Sequence, residues 1–330
     1  MKALVTGGGG FLGKAIILKL LARGDAVRSF SRGDYPELRN LGVDVVHGDI
    51  ADPSAVHSAV ADCDVVFHVA AKPGIWGPYA KYHRTNVMGT KNVIEACKGH
   101  QVTRLVYTST PSVVHSGGDV EGIDESRPYA KHFETHYPKT KAMAEQMVLA
   151  SNSKEMGTVA LRPHLIWGPG DNHLVPRLIE RGKAGRLRRI GKTQHPVDST
   201  YIDNAAMAHL LAADRLRPDT VIAGKAYFIS QGEPVDISDL INRIIATAGI
   251  PPIKRTVSPG LAYTVGWILE TIYTLFRIKN EPPMTRFLAK QLSTAHWFDI
   301  SAARRDLGYN PDVSIAEGLK RLEQSFDVRK

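Results

Sequence analysis

The chain has 330 residues, 43% hydrophobic and 23% charged, with a formal net charge of +9. That is enough chain to bury a large core, as one big α/β domain or a domain plus a smaller lobe, at the composition of an ordinary soluble globular protein. The positive charge suits anionic ligands such as dinucleotide phosphates or a carboxylate substrate. It does not argue for nucleic acid, and no aromatic-and-basic recognition motif accompanies it.

The amino-terminal half alternates apolar runs with helical patterns. Lys2–Thr6, Ala26–Phe30, Val43–His47, Val65–Val69, Arg104–Thr108 and Val159–Arg162 read as strands. Phe11 to about Arg23, Pro53–Ala61, Val87–Lys98 and Tyr137–Ala150 read as helices between them. Such alternation calls for a parallel sheet covered on both faces. It breaks down after Gly168-Pro169-Gly170-Asp171. The rest reads as a mostly helical lobe, interrupted near Tyr201 and Tyr227 and turned at Pro251-Pro252 and Pro282-Pro283. The expected division is a dinucleotide-binding domain over 1–168, to which 201–230 returns, and a substrate-binding lobe from 169–200 and 231–330.

Cys63 and Cys97 are the only cysteines; in apolar surroundings they read as core residues rather than ligands or disulfide partners, and no metal site is expected. With a glycine loop already at Gly7, no secretory signal is expected, and the cytoplasm is the expected location. Leu261–Phe276 is apolar but short for a membrane span and contains Glu270, so an amphipathic or buried helix is expected, with peripheral membrane or partner contact as the lesser alternative.

Between the first strand and the first helix stands Thr6-Gly7-Gly8-Gly9-Gly10-Phe11-Leu12-Gly13. Gly7 permits a tight turn, Gly10 lets the backbone approach a pyrophosphate, and Gly13 lets the helix pack closely on the strand. Phe11 and Leu12 open a helix whose amide donors face the phosphates. At the end of the second strand, an acidic residue would bond a ribose diol and repel a 2′-phosphate. This chain has Ser31-Arg32 there, a hydroxyl beside a guanidinium, which favours NADP(H). Asp49-Ile50 either frames an adenine or, at Asp49, serves as a turn or capping residue.

Tyr137 and Lys141 stand one helical turn apart, on one face. Beside a nicotinamide ring, the lysine charge would favour the phenolate and let the tyrosine relay a proton near neutral pH. Ser109-Thr110-Pro111-Ser112 supplies hydroxyls after the fifth strand. The run Arg177 to Lys192 is strongly basic, a solvated face or a site for a charged ligand or acidic partner. Arg162 and His164 follow the sixth strand, where parallel sheets gather ligands.

Taken together these residues resemble the extended short-chain dehydrogenase/reductase superfamily along nearly the whole chain. The marks are the glycine loop, His68-Val69-Ala70-Ala71, Asn86-Val87-Met88-Gly89-Thr90, Tyr137 with Lys141, Leu161-Arg162-Pro163 and Tyr201-Ile202-Asp203-Asn204. The closing Asp306-Leu307-Gly308-Tyr309-Asn310-Pro311 is similar to that of the 3β-hydroxysteroid dehydrogenase-like branch. Ala70-Ala71-Lys72-Pro73-Gly74-Ile75-Trp76-Gly77 and Glu281-Pro282-Pro283-Met284 narrow the likeness to the bacterial 2-alkyl-3-oxoalkanoate reductases of olefinic hydrocarbon biosynthesis.

The resemblance implies a Rossmann-type doubly wound α/β sheet with a smaller helical lobe, and NADP-dependent reduction of a lipid-like 3-ketoacid. It implies that Thr110 orients the carbonyl, with Ser109 its rival, that Tyr137 donates the proton, and that Lys141 holds the nicotinamide ribose. Asn86 ties the site to the backbone of a neighbouring helix or starts a helix, and Ala70, Ala71 and Lys72 border the cofactor. A homodimer, and association with other enzymes of the olefin pathway, are implied in the same way. A nucleotide-sugar epimerase or dehydratase, a steroid or dihydroflavonol-type reductase, and an NADP(H)-sensing protein without chemistry are the competing readings.

Overall fold

The computed structural model describes residues 1–115 and 117–327. Seven apolar segments form one parallel sheet: β1 (Lys2–Thr6), β2 (Ala26–Ser31), β3 (Asp44–His47), β4 (Val65–His68), β5 (Arg104–Thr108), β6 (Gly157–Pro163) and β7 (Lys225–Ile229). Their spatial order is β7-β6-β5-β4-β1-β2-β3. Successive side chains on a strand point to opposite faces, and both faces are apolar. Ala3, Val5, Phe67 and Val106 enter one core, and Leu4, Val66 and Leu105 enter the other.

Helices fill both faces. α1 (Phe11–Ala22) covers the first core; α2 (Pro53–Val60), α3 (Gly89–Gly99) and α4 (His136–Ala150) cover the second. Asp52 starts α2 by accepting the amides of Ser54 and Ala55 ahead of Pro53. Beyond β6 come α5 (Leu174–Lys183), α6 (Ile202–Arg215), α7 (Ile237–Ala246) and α8 (Pro259–Leu275). α6 packs against α1, and β7 follows it to pair with β6 in parallel. The strand order reverses between β1 and β4, where a parallel sheet leaves a crevice at its carboxyl edge.

Two local features depart from the periodicity. The helix expected over Val87–Lys98 is preceded by a π-helical turn, His83–Met88, whose wide ring turns Asn86 into the interior. The carboxy-terminal part also carries short strands as well as helices. His296–Phe298, Pro196–Val197 and Val235–Asp236 join Val120–Ile123, from the amino-terminal half, in a second sheet, and Arg189–Ile190 pairs with Thr256–Val257. Strands of two to four residues are too short to display an alternating pattern, so the sequence reads this region as mostly helical.

Candidate active site

The loop after β1 is shaped by two glycines. Gly7 has φ +71°, a left-handed conformation, and a methyl there would stand 3.0 Å from the Ala70 backbone in the loop after β4. Gly13 lies so close to the strand that a Cβ would meet the Gly7 carbonyl oxygen at 2.2 Å. The loops after β1 and β4 thus touch at the switch point, and the amino end of α1 faces the space between them.

A cleft of about 570 Å³ opens there. Gly7, Gly10, Phe11, Leu12 and Gly13 form its floor, with Ser31 and Arg32 at one end. Ala70 and Ala71 form a wall, and Ile50 lies beside the end of β3. Ser109, Thr110, Tyr137 and Lys141 close the other end. The donor-rich floor and helix start fit a dinucleotide pyrophosphate.

Two features at the far end bear on a ribose phosphate. The Ser31 hydroxyl is buried with no hydrogen-bond partner among the described residues. Arg32 is exposed, and the nearby Asp34 carboxylate is engaged by Arg39 at 2.6 Å. Asp49 does not line the cleft; its carboxylate accepts the Ala51 amide at 3.0 Å and pairs with Arg84 at 2.8 Å, the turn role of its two readings.

At the catalytic end, burial pushes the Tyr137 phenol up to about 12, while the Thr110 hydroxyl pulls the other way. Thr110 Oγ1 donates to Ser112 Oγ at 3.2 Å and accepts the Ser112 amide at 3.3 Å, fixing the turn Pro111–Val113. Ser109 Oγ is buried and unpartnered among the described residues. Burial lowers the Lys141 ammonium to about 7, against the attraction of Glu145. Lys141 Nζ donates to the Thr108 carbonyl at 2.5 Å and lies 4.1 Å from the Tyr107 ring centroid. Burial is the largest influence on the Tyr137 phenol, and the Lys141 ammonium is held at the carbonyl end of β5.

Asn86 sits inside a helical run rather than at its start. Its Oδ1 accepts the Lys72 amide at 2.7 Å, and its Nδ2 donates to the Thr140 hydroxyl at 3.0 Å and the Lys72 carbonyl at 3.3 Å. It thereby joins the backbone of the loop after β4 to α4 at the Thr140 side chain, the residue before Lys141, rather than binding a helix backbone. Lys72 itself faces away from the cleft into an adjoining cavity of about 810 Å³, with Nζ 4.8 Å from the Tyr82 ring centroid.

One positioning chain went unassigned in the sequence. Thr90 Oγ1 donates to the Asn86 carbonyl at 2.6 Å, so it accepts from His68 Nε2 at 2.9 Å. His68 Nδ1 then accepts from Thr6 Oγ1 at 2.8 Å, and that oxygen accepts the Ala70 amide at 3.2 Å. Burial, reinforced by Lys141, holds the imidazole near 3 and therefore neutral, as this tautomer requires. A histidine within an apolar strand gives no signal of such a role.

Arg162 and His164 are committed elsewhere. Arg162 makes a buried ion pair with Glu145 of α4 at 2.6 Å, and Tyr129 donates to the same carboxylate at 2.7 Å. His164 Nε2 lies 2.8 Å from His296 Nδ1. Of the basic run, Arg177 pairs with Glu281 at 2.7 Å, well outside the cleft.

A glycine-floored cleft at the switch point, ending in a tyrosine, a lysine and a hydroxyl, belongs to an oxidoreductase of the short-chain dehydrogenase/reductase type. The chain belongs to the 3-beta hydroxysteroid dehydrogenase/isomerase family, whose profile matches residues 4–259. It is 54% identical over 327 residues to a 2-alkyl-3-oxoalkanoate reductase of Stenotrophomonas maltophilia, covering 98% of this chain and 99% of that one. A protein of the same description from Shewanella oneidensis is 53% identical over 332 residues, covering 98% and 86%. Among solved structures, the crystal structure of gox2253 superposes with a TM-score of 0.79 at 25% identity, covering 99% of this chain and 98% of that one.

Proposed function

We propose that this protein reduces the 3-oxo group of a 2-alkyl-3-oxoalkanoic acid to the hydroxyl with NADPH, in long-chain olefin biosynthesis. The observation that carries this reading is the end-to-end similarity, at 53–54% identity, to two reductases described by that substrate.

The glycine floor and α1 would hold the pyrophosphate, Ser31 and Arg32 the 2′-phosphate, and Lys141 the nicotinamide ribose. When bound, the nicotinamide supplies the hydride to C3 of the substrate. Thr110 orients the carbonyl oxygen, and Tyr137 gives that oxygen its proton. Asn86 keeps α4 registered against the loop after β4. Lys72, exposed to the adjoining cavity, offers a cation to the substrate carboxylate.

Lys141 is protonated below about 7 and neutral above it, so reduction is expected to weaken as pH rises through that value. A profile of kcat/KM against pH that stays flat from 6 to 9 would count against Lys141 as the controlling group. The function is tested by NADPH oxidation with a 2-alkyl-3-oxo acid, a UDP-sugar, or no substrate. Turnover with the ketoacid alone is expected; turnover with the UDP-sugar alone would overturn the reading.

A further inference from the structure

Helix α8 turns its small residues inward and its large ones outward. Ala262 and Gly266 are its buried positions, and a methyl added at Gly266 would stand 2.6 Å from the Thr285 carbonyl carbon. Leu261, Val265, Ile268, Ile272 and Leu275 recur at helical spacing as one solvent-facing stripe. Leu275 is 74% exposed and neighbouring Trp267 53%. The helix has one charged side chain, Glu270, and its carboxylate is folded back onto Arg286 at 2.6 Å. No helix among the described residues is long and apolar enough to cross a membrane. A helix of this length, about 25 Å, can only lie along one.

Cations surround the stripe. Lys254 and Arg255 precede α8, and Arg277 and Lys279 follow it, all exposed. The pairing of Thr256–Val257 with Arg189–Ile190 brings the basic run alongside. The acidic groups nearby, Glu270 and Glu281, are already taken by Arg286 and Arg177. An apolar stripe with a basic rim matches an anionic lipid surface. The other edge of α8, at Tyr263 and Tyr273, walls the 810 Å³ cavity that also contains Lys72, Trp76 and His136, the residue preceding Tyr137.

We propose that α8 lies in the surface of an anionic bilayer, so that a lipid-like substrate passes from the membrane into this cavity and on to Tyr137. The route to Tyr137 rests on the ketoacid-reductase reading; the membrane contact does not.

The test is co-sedimentation of the full chain, without substrate, with vesicles of phosphatidylcholine alone or mixed with phosphatidylglycerol. The mixed vesicles should bind at least about tenfold more strongly, in a salt-sensitive way. Ile268→Glu/Ile272→Glu and Lys254→Glu/Arg255→Glu should each lose at least about tenfold of that binding. Both variants should keep their melting temperature and their NADPH oxidation with a short, water-soluble 3-oxo acid.

Absence of vesicle binding, equal binding to both compositions, or undiminished binding by the Ile268→Glu/Ile272→Glu variant would overturn the proposal. So would an Ile268→Glu/Ile272→Glu variant that changes from dimer to monomer in ultracentrifugation while the parent ignores vesicles, since the stripe would then join two copies. Vesicle binding by a chain that reduces no ketoacid would sink the proposed function and leave the membrane contact standing.

Discussion

The cleft at the switch point and helix α8, which walls the adjoining cavity, are built by opposite rules. Around the cleft, buried polar groups are tied into chains: Thr6, His68, Thr90 and Asn86 in one, Tyr129, Glu145 and Arg162 in another. Helix α8 buries little beyond a glycine and an alanine, and leaves its large apolar side chains in solvent. The contrast shows where this molecule needs rigidity and where it needs a surface. Under the proposed function, hydride and proton must reach the two atoms of one carbonyl, whereas an alkyl chain needs only an apolar approach.

The comparison can be broken most directly at Tyr137. Tyr137→Phe should reduce kcat/KM by roughly a thousandfold, within the range for a positioned proton donor, while NADPH binding, followed by fluorescence, stays within about twofold. Near-normal turnover would remove the cleft's claim to the chemistry.

Glu145→Ala strands a buried guanidinium and should cost about 3–5 kcal/mol in denaturant unfolding. Arg32→Ala should raise the KM for NADPH about tenfold, equivalent to ~1.4 kcal/mol, and leave that for NADH unchanged. An equal effect on both cofactors would mean that Arg32 does not read the phosphate. At the small end, Leu275→Ser should change stability by less than about 0.5 kcal/mol, because its side chain is 74% exposed. A loss of 2 kcal/mol or more would show that α8 is covered by another part of the assembly.

Much of the cleft was legible because its parts are local. The glycine loop, Ser31-Arg32 and the Tyr137/Lys141 spacing each lie within a few residues, and backbone geometry fixes what such short spans can do. The direction of the Tyr137 shift was not legible. It depends on how closely other segments of the chain surround the phenol, against the pull of the Thr110 hydroxyl. The sequence carries no signal of the His68 role, since its two partners, Thr6 and Thr90, come from separate elements.

Local chemistry suffices for the parallel sheet and the order of its principal elements, through β-strand runs apolar enough to be buried on both faces. It also suffices for the glycine-floored turn, because Gly7 and Gly13 are demanded by backbone shape. It takes the folded chain for Asn86 to bind the Lys72 backbone, for Lys72 to look into the second cavity, and for the stripe of α8 to stay uncovered. Those outcomes turn on contacts between distant segments, and an apolar stripe reads the same in a sequence whether it is buried or left in solvent.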